Sequence, residues 1–176
     1  MTHEWDTHHG ALTEPKPYGG PESYERIAAF VFDCATVEDW GCGGGGLKPY
    51  IPTGYVGIDG SVSPYADVIA DLRGLLSMPD AVVLRHVLEH NDEWARVLTN
   101  AVLSAQRKLA IVLFTPLLDD TTVLLREPHH GDVPVLAFSA ADLAAHFNDW
   151  ELVEWETIDS PGTYYGEETL IFLERR

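Results

Sequence analysis

Apolar positions first recur at helical spacing just beyond Pro21, where Tyr24, Ile27, Ala28 and Val31 share one face and Pro21 suits a first helical turn. From Thr36 the pattern changes to short apolar runs separated by turns, at 36–40, 55–59, 67–70, 81–84 and 109–114. Between the last two lies a long amphipathic stretch in which Trp94, Val97, Leu98, Ala101, Val102 and Ala105 form one face. Asn91 is expected to cap that helix, with Asp92 and Glu93 at its positive end and Arg107 and Lys108 at its negative end. A further helix is expected to start at Ser139, with Asp142 three residues on as in a capping box and Phe138 stapled to Leu143. Two final strand-like runs, 151–158 and 169–174, are joined by a turn-rich stretch with Pro161, Gly162 and Gly166, which implies antiparallel pairing. Strands alternating with helices predict an α/β fold, a mostly parallel sheet with helices on both faces and an antiparallel C-terminal strand.

Two stretches do not fit this alternation. Residues 1–20 are polar and carry Pro15, Pro17, Gly19 and Gly20, so they read as an arm or lid preceding one domain, 21–176. The connection from Thr115 to Ala137, with Pro116, Pro128, Gly131 and Pro134, is longer than the usual few residues and reads as a functional or mobile loop.

Composition narrows the class. Apolar residues make up 45% and charged residues 22%, the balance of a globular domain. The net charge of -17 repels phosphate backbones, so no duplex nucleic-acid partner is expected. Cys34 and Cys42 show no zinc or redox spacing and read as reduced thiols. There is no signal-peptide core and no apolar run of membrane length, so a cytoplasmic location is expected, without a membrane partner. His3, His8 and His9 lack a carboxylate shell and His129 and His130 read as solvated, so no metal site is expected; the oligomeric state is not legible.

The chemistry concentrates after the first strand, at Asp39-Trp40-Gly41-Cys42-Gly43-Gly44-Gly45-Gly46, where the glycines allow a sharp bend and close approach to a ligand. Taken alone, the loop fits a dinucleotide site as well as other nucleoside sites. Asp59 ends the next strand, 59 − 39 = 20 residues on, where a carboxylate accepts hydrogen bonds from both hydroxyls of a ribose. Asp39 discriminates, because it would repel a pyrophosphate and attract a cationic amino group. The segment 47–54 holds Pro49 and Pro52, so it cannot supply the long helix whose N-terminus a pyrophosphate uses.

Four segments, VEDWGCGGG at 37–45, GYVGIDGS at 54–61, ADLRGL at 70–75 and LRHVLEHNDEW at 84–94, together resemble the class I S-adenosylmethionine (SAM) dependent methyltransferases. DLAAHF and GEETLIFLERR extend the likeness more loosely to the end. The resemblance implies a Rossmann-like methyltransferase fold with SAM as cofactor. It places Asp39 and the backbone of Gly41, Cys42, Gly43 and Gly45 at the methionine part and Asp59, followed by Gly60, at the ribose. Asp71 and the Leu72 backbone would meet the adenine amino group, though Asp71 equally suits a turn cap before Arg73 and Gly74. Arg85 stands at the tip of the fourth strand against the cofactor, where its charge suits a sulfonium only if it turns outward. His86 follows near the methyl donor as the candidate catalytic base, with a structural role equally open.

His90 reads as a packing residue. Tyr18 reads either as a cover for the cofactor, since aromatic faces attract a sulfonium, or as a plain packing tyrosine. No Asn-Pro-Pro-Tyr or Asp-Pro-Pro-Tyr box and no Pro-Cys nucleophile follows the fourth strand, so a small-molecule acceptor is favoured. The acceptor pocket is expected from the N-terminal arm and the 115–137 connection. A nicotinamide-dependent oxidoreductase and a cofactor-binding subunit without catalysis are the alternatives.

Overall fold

The computed structural model describes residues 12–127 and 132–176. After helix α1 (Glu22–Phe30) come strands β1 (Val37–Trp40), β2 (Tyr55–Asp59), β3 (Val68–Ile69) and β4 (Ala81–Arg85), helix α2 (Trp94–Ser104) and strand β5 (Lys108–Leu113). Strands β6 (Thr122–Glu127) and β7 (Val133–Ala137), helix α3 (Ala140–Ala144) and strands β8 (Trp150–Asp159) and β9 (Glu167–Arg175) complete the chain. The main sheet has seven strands in the order β3-β2-β1-β4-β5-β9-β8. Strands β1 to β5 run parallel, and β9 and β8 add antiparallel at one edge.

The five parallel runs and the C-terminal pair all form; β4, β5 and the middle of β9 are buried on both faces, whereas β3 and β8 are the edges and are largely exposed. On one face Tyr24, Ile27 and Val31 of the α1 region pack with Val37, Val83, Val112 and Leu170. On the other, Val97, Leu98 and Ala101 of α2 and Leu143 of the α3 region pack with Trp40, Leu84, Ile111 and Ile171.

Three sequence expectations are corrected. Asn91 does not cap α2: its Nδ2 donates to the Val87 carbonyl at 2.6 Å, closing the preceding 3-10 turn, and the helix begins at Trp94 after Glu93. Arg107 and Lys108 do not serve the end of α2. Lys108 Nζ instead donates to the Phe30 carbonyl at 2.8 Å and to Asp33 at 2.6 Å, finishing α1. The connection after β5 is not an open loop, since β6 and β7 pair as an antiparallel hairpin. Pro134 sits within β7, and in a two-stranded sheet both strands are edges, where a missing N–H is tolerated.

The start of α3 follows expectation and adds a partner. Ser139 Oγ accepts from Asp142 N at 3.0 Å, while Ser139 N donates to Thr121 Oγ1, which donates in turn to Asp142 at 2.6 Å. The reciprocal half of the capping box thus runs through Thr121. No helix among the described residues is long and apolar enough to cross a membrane.

Candidate active site

The strand order reverses between β1 and β4, and in an open parallel sheet a crevice forms outside the carboxyl ends at that point. A cleft of ≈ 700 Å³ occupies it, within the range of about 300–1,000 Å³ usual for ligand sites. Its floor is the glycine loop after β1. Gly41 N and Cys42 N both donate to the Ile58 carbonyl, at 2.7 and 3.1 Å, which bends the chain over the end of β2. Gly41 has a φ of 79°, and a Cβ there would strike Val87. Gly45, φ 69°, would place a Cβ 2.6 Å from the Tyr65 ring.

Asp59 fastens this loop. Its Oδ2 accepts from Gly43 N at 2.8 Å, and its Oδ1 accepts from Ser61 N and Ser61 Oγ at 2.8 and 2.6 Å. A carboxylate has about four lone-pair sites, so Oδ2 keeps one for a ligand. Ser63 Oγ donates to the Gly43 carbonyl at 2.6 Å on the other side of the turn. Asp39, at the end of β1, is buried at 3% exposure and accepts from the Tyr55 hydroxyl at 2.7 Å. Burial pushes its carboxyl up to about 6, against the lowering effect of the Tyr55 bond and of Arg85. Burial likewise raises the Cys42 thiol, which keeps it protonated in the cleft wall.

The residues carried over to a cofactor site meet here with one exception. Asp39, Gly41, Cys42, Gly43, Asp59, Gly60, Asp71, Leu72 and Arg85 all line the cleft, as does His86, whereas Gly45 turns away beneath the loop and Gly44 and Gly46 take its place. Asp71 also acts as the turn cap: its carboxylate accepts from Arg73 N at 3.0 Å and from the Arg73 guanidinium at 2.7 to 3.1 Å. The Arg73 contacts hold its carboxyl below the ordinary range.

Arg85 turns away from the cleft centre, toward the α1 face of the sheet. It stacks 3.9 Å over the Tyr24 ring, donates to the Tyr18 carbonyl at 2.6 Å and pairs with Glu168, whose side chain is fully buried. Arg85 and Leu170 both register with Val112, so Glu168, two residues before Leu170, falls on the same face as Arg85.

His86 has a φ of 57°, and its side chain is 9% exposed. Its Nδ1 lies 3.3 Å from an Arg85 nitrogen that can only donate, which places the neutral ring's proton on Nε2. Nε2 lies 2.7 Å from Glu168 Oε1 but out of line for a good hydrogen bond. Burial, then the Arg85 charge, depress the imidazole to about 4, so it is neutral at pH 7. Both ring nitrogens therefore face inward.

The described part of the N-terminal arm roofs the cleft. Lys16 N donates to the Gly44 carbonyl at 2.9 Å, Gly20 N to Ser160 Oγ at 3.0 Å, and the Tyr18 hydroxyl accepts from Tyr164 N at 2.9 Å. His90, near Pro134 at 3.2 Å and tilted against Phe114, packs under the hairpin. The histidines at 3, 8, 9, 129 and 130 lie outside the described residues. Among the described residues no His, Cys, Asp and Glu side chains group to hold a metal ion. Tyr55, Ser61, Ser63 and Glu168 were missed as functional partners; Tyr55 and Ser61 lie within GYVGIDGS and Glu168 within GEETLIFLERR, but the roles of Tyr55, Ser63 and Glu168 become visible only from tertiary contacts or strand register.

No protein-family model and no curated protein matches the chain. Solved structures do. Magnesium protoporphyrin IX methyltransferase from Synechocystis PCC 6803 with bound SAM superposes at a TM-score of 0.62, with 15% identity over 88% of this chain and 79% of that one. The 1,6-didemethyltoxoflavin-N1-methyltransferase of Burkholderia thailandensis, bound to its substrate and S-adenosylhomocysteine (SAH), gives 0.67 with 15% identity over 88% and 79%. The N-terminal domain of EvdMO1 with SAH bound gives 0.62 with 16% identity over 89% and 82%. The chain has the fold of the SAM-dependent methyltransferases, α/β and Rossmann-like, with the antiparallel C-terminal strands expected of it.

Proposed function

We propose that this protein is a SAM-dependent methyltransferase acting on a small molecule. The observation that carries the reading is the placement of Asp39 and Asp59 at the ends of adjacent strands, facing one cleft across the glycine loop. Asp39 suits the methionine amino group, and the remaining acceptor site of Asp59 suits one ribose hydroxyl. The second hydroxyl then needs a different acceptor, since Gly43 and Ser61 occupy the rest of Asp59. Asp71 and Leu72 border the space for adenine. The Lys16 carbonyl and Cβ lie against Gly44 and Lys16 lines the cleft, which suits its ammonium to the methionine carboxylate.

In the reaction an acceptor lone pair forms a bond to the sulfonium methyl as the carbon–sulfur bond breaks. The bonding pair stays on sulfur, leaving a neutral thioether, and the acceptor's proton passes to solvent. Holding the two partners in line supplies up to about 7–11 kcal/mol of the barrier. With both nitrogens directed at Arg85 and Glu168, His86 is assigned to ordering the pocket rather than to taking the proton. The charge of -17 argues against duplex nucleic acid as acceptor.

Calorimetric titration with SAM and SAH tests the assignment. Asp59→Ala should weaken both equally, by roughly ten- to a hundredfold, because the ribose is common to them. Unchanged affinity in the variant rejects the site.

A further inference from the structure

The cleft extends past the methyl-donor position into a region that the cofactor residues do not use. Tyr18, Phe114 and His86 pack edge to face on one another there, with ring centroids 6.3, 5.5 and 5.2 Å apart, and form one aromatic wall of the cleft. Tyr164 lines the opening with 73% of its surface exposed, and Leu125 and Val135 of the β6–β7 hairpin close the far side. Aromatic and aliphatic side chains thus make up much of this wall, with Asp92 and Asp132 at its border.

The charges point the same way. Three Lys or Arg side chains line the whole cleft among the described residues: Lys16, Arg73 and Arg85. Lys16 lies over the glycine loop, Arg73 is held by Asp71 and Glu93 at the adenine end, and Arg85 is neutralised by Glu168. Of the three, only Arg85 reaches the aromatic end, through the Tyr18 carbonyl and His86 Nδ1, and there its charge is met by the buried Glu168. Asp92 and Asp132 border that end, and the nearby Arg126 is engaged by both, at 2.6 and 3.8 Å. An acceptor bearing a carboxylate or phosphate would lose its water there and meet no cation that is not already paired with a carboxylate, a heavy penalty. A flat, uncharged ring system loses little on entry and gains edge and face contacts with the aromatic walls.

We propose that this aromatic end of the cleft is the acceptor site and that it takes an uncharged, planar aromatic or heteroaromatic small molecule. The proposal rests on the methyltransferase reading and specifies its substrate class. The β6–β7 hairpin and the Tyr18–Tyr164 contact then set specificity, and the glycine loop plays no part in it.

The test is a binding screen on the full-length protein saturated with SAH, so that no turnover occurs. The probes are uncharged phenols, anilines and quinolines of one to three rings, together with their carboxylated counterparts, read by saturation-transfer NMR and calorimetry. Uncharged rings should bind, their carboxylates should bind more than about tenfold more weakly, and Tyr164→Ala should weaken the uncharged rings about two- to tenfold while leaving SAH affinity unchanged. Tyr164 is exposed, so its removal does not threaten the fold. Preferential binding of the carboxylates, no ring binding in the SAH complex, or binding insensitive to Tyr164→Ala overturns the proposal. Failure of SAH itself to bind is a separate result, which removes the methyltransferase reading beneath it.

Discussion

Asp39 is held near a working balance between neutral and ionised forms. Burial raises its carboxyl to about 6, so Asp39 is mostly the carboxylate at pH 7 and mostly the acid at pH 5. A bound ammonium favours the carboxylate, so cofactor affinity should rise as pH climbs through 6 and level off above it, falling by at most about tenfold per unit below it. Calorimetry from pH 5 to 8 reads this directly, and Asp39→Asn should flatten the profile; a pH-independent wild type would detach Asp39 from the cation. Asp39 and Asp59 were legible in the sequence because each ends a strand beside a glycine turn. Tyr55 and Glu168 were not, because their roles depend on register: Tyr55 reaches Asp39 from the neighbouring strand at 2.7 Å, and Glu168 meets Arg85 from 83 residues away. The outward turn of Arg85 could be stated as a condition from sequence, but the partner that satisfies it could not.

At the level of elements, the turn after β4 is tied to Phe114 in the cleft wall by a buried acid. Glu89, fully buried in the 3-10 turn Leu88–His90, accepts from Phe114 N at 2.7 Å. Burial pushes its carboxyl up to about 8, so the folded protein keeps a proton that the unfolded chain releases near 4.5. Its contribution to stability is therefore full below about pH 4.5 and declines as pH rises to about 8. Glu89→Gln retains an acceptor for Phe114 and cannot ionise. Its melting temperature relative to wild type should climb between pH 5 and 8, and a difference constant with pH would show that Glu89 is ionised in the fold. The helix α3 start was readable because its capping signals are local. The β6–β7 hairpin was obscured by Pro134, and the start of α2 by an asparagine that closes the turn before it. Local signals thus identified the elements, and side-chain competition moved their ends.

For the molecule as a whole, the alternation of strands and helices announced a parallel sheet, while its order, β3-β2-β1-β4-β5-β9-β8, is a property of long-range pairing. That order puts the glycine loop and the tip of β4 on either side of one crevice, with Asp39, Asp59 and Asp71 among the residues that line it. The direct measurement is to incubate the purified protein with equimolar SAH and NAD, remove unbound ligand, denature, and weigh the released small molecules by mass spectrometry. Recovery of SAH at one per chain without NAD is the predicted result, because Asp39 attracts the amino group and repels a pyrophosphate. Recovery of NAD without SAH would contradict it and make the cleft a dinucleotide site.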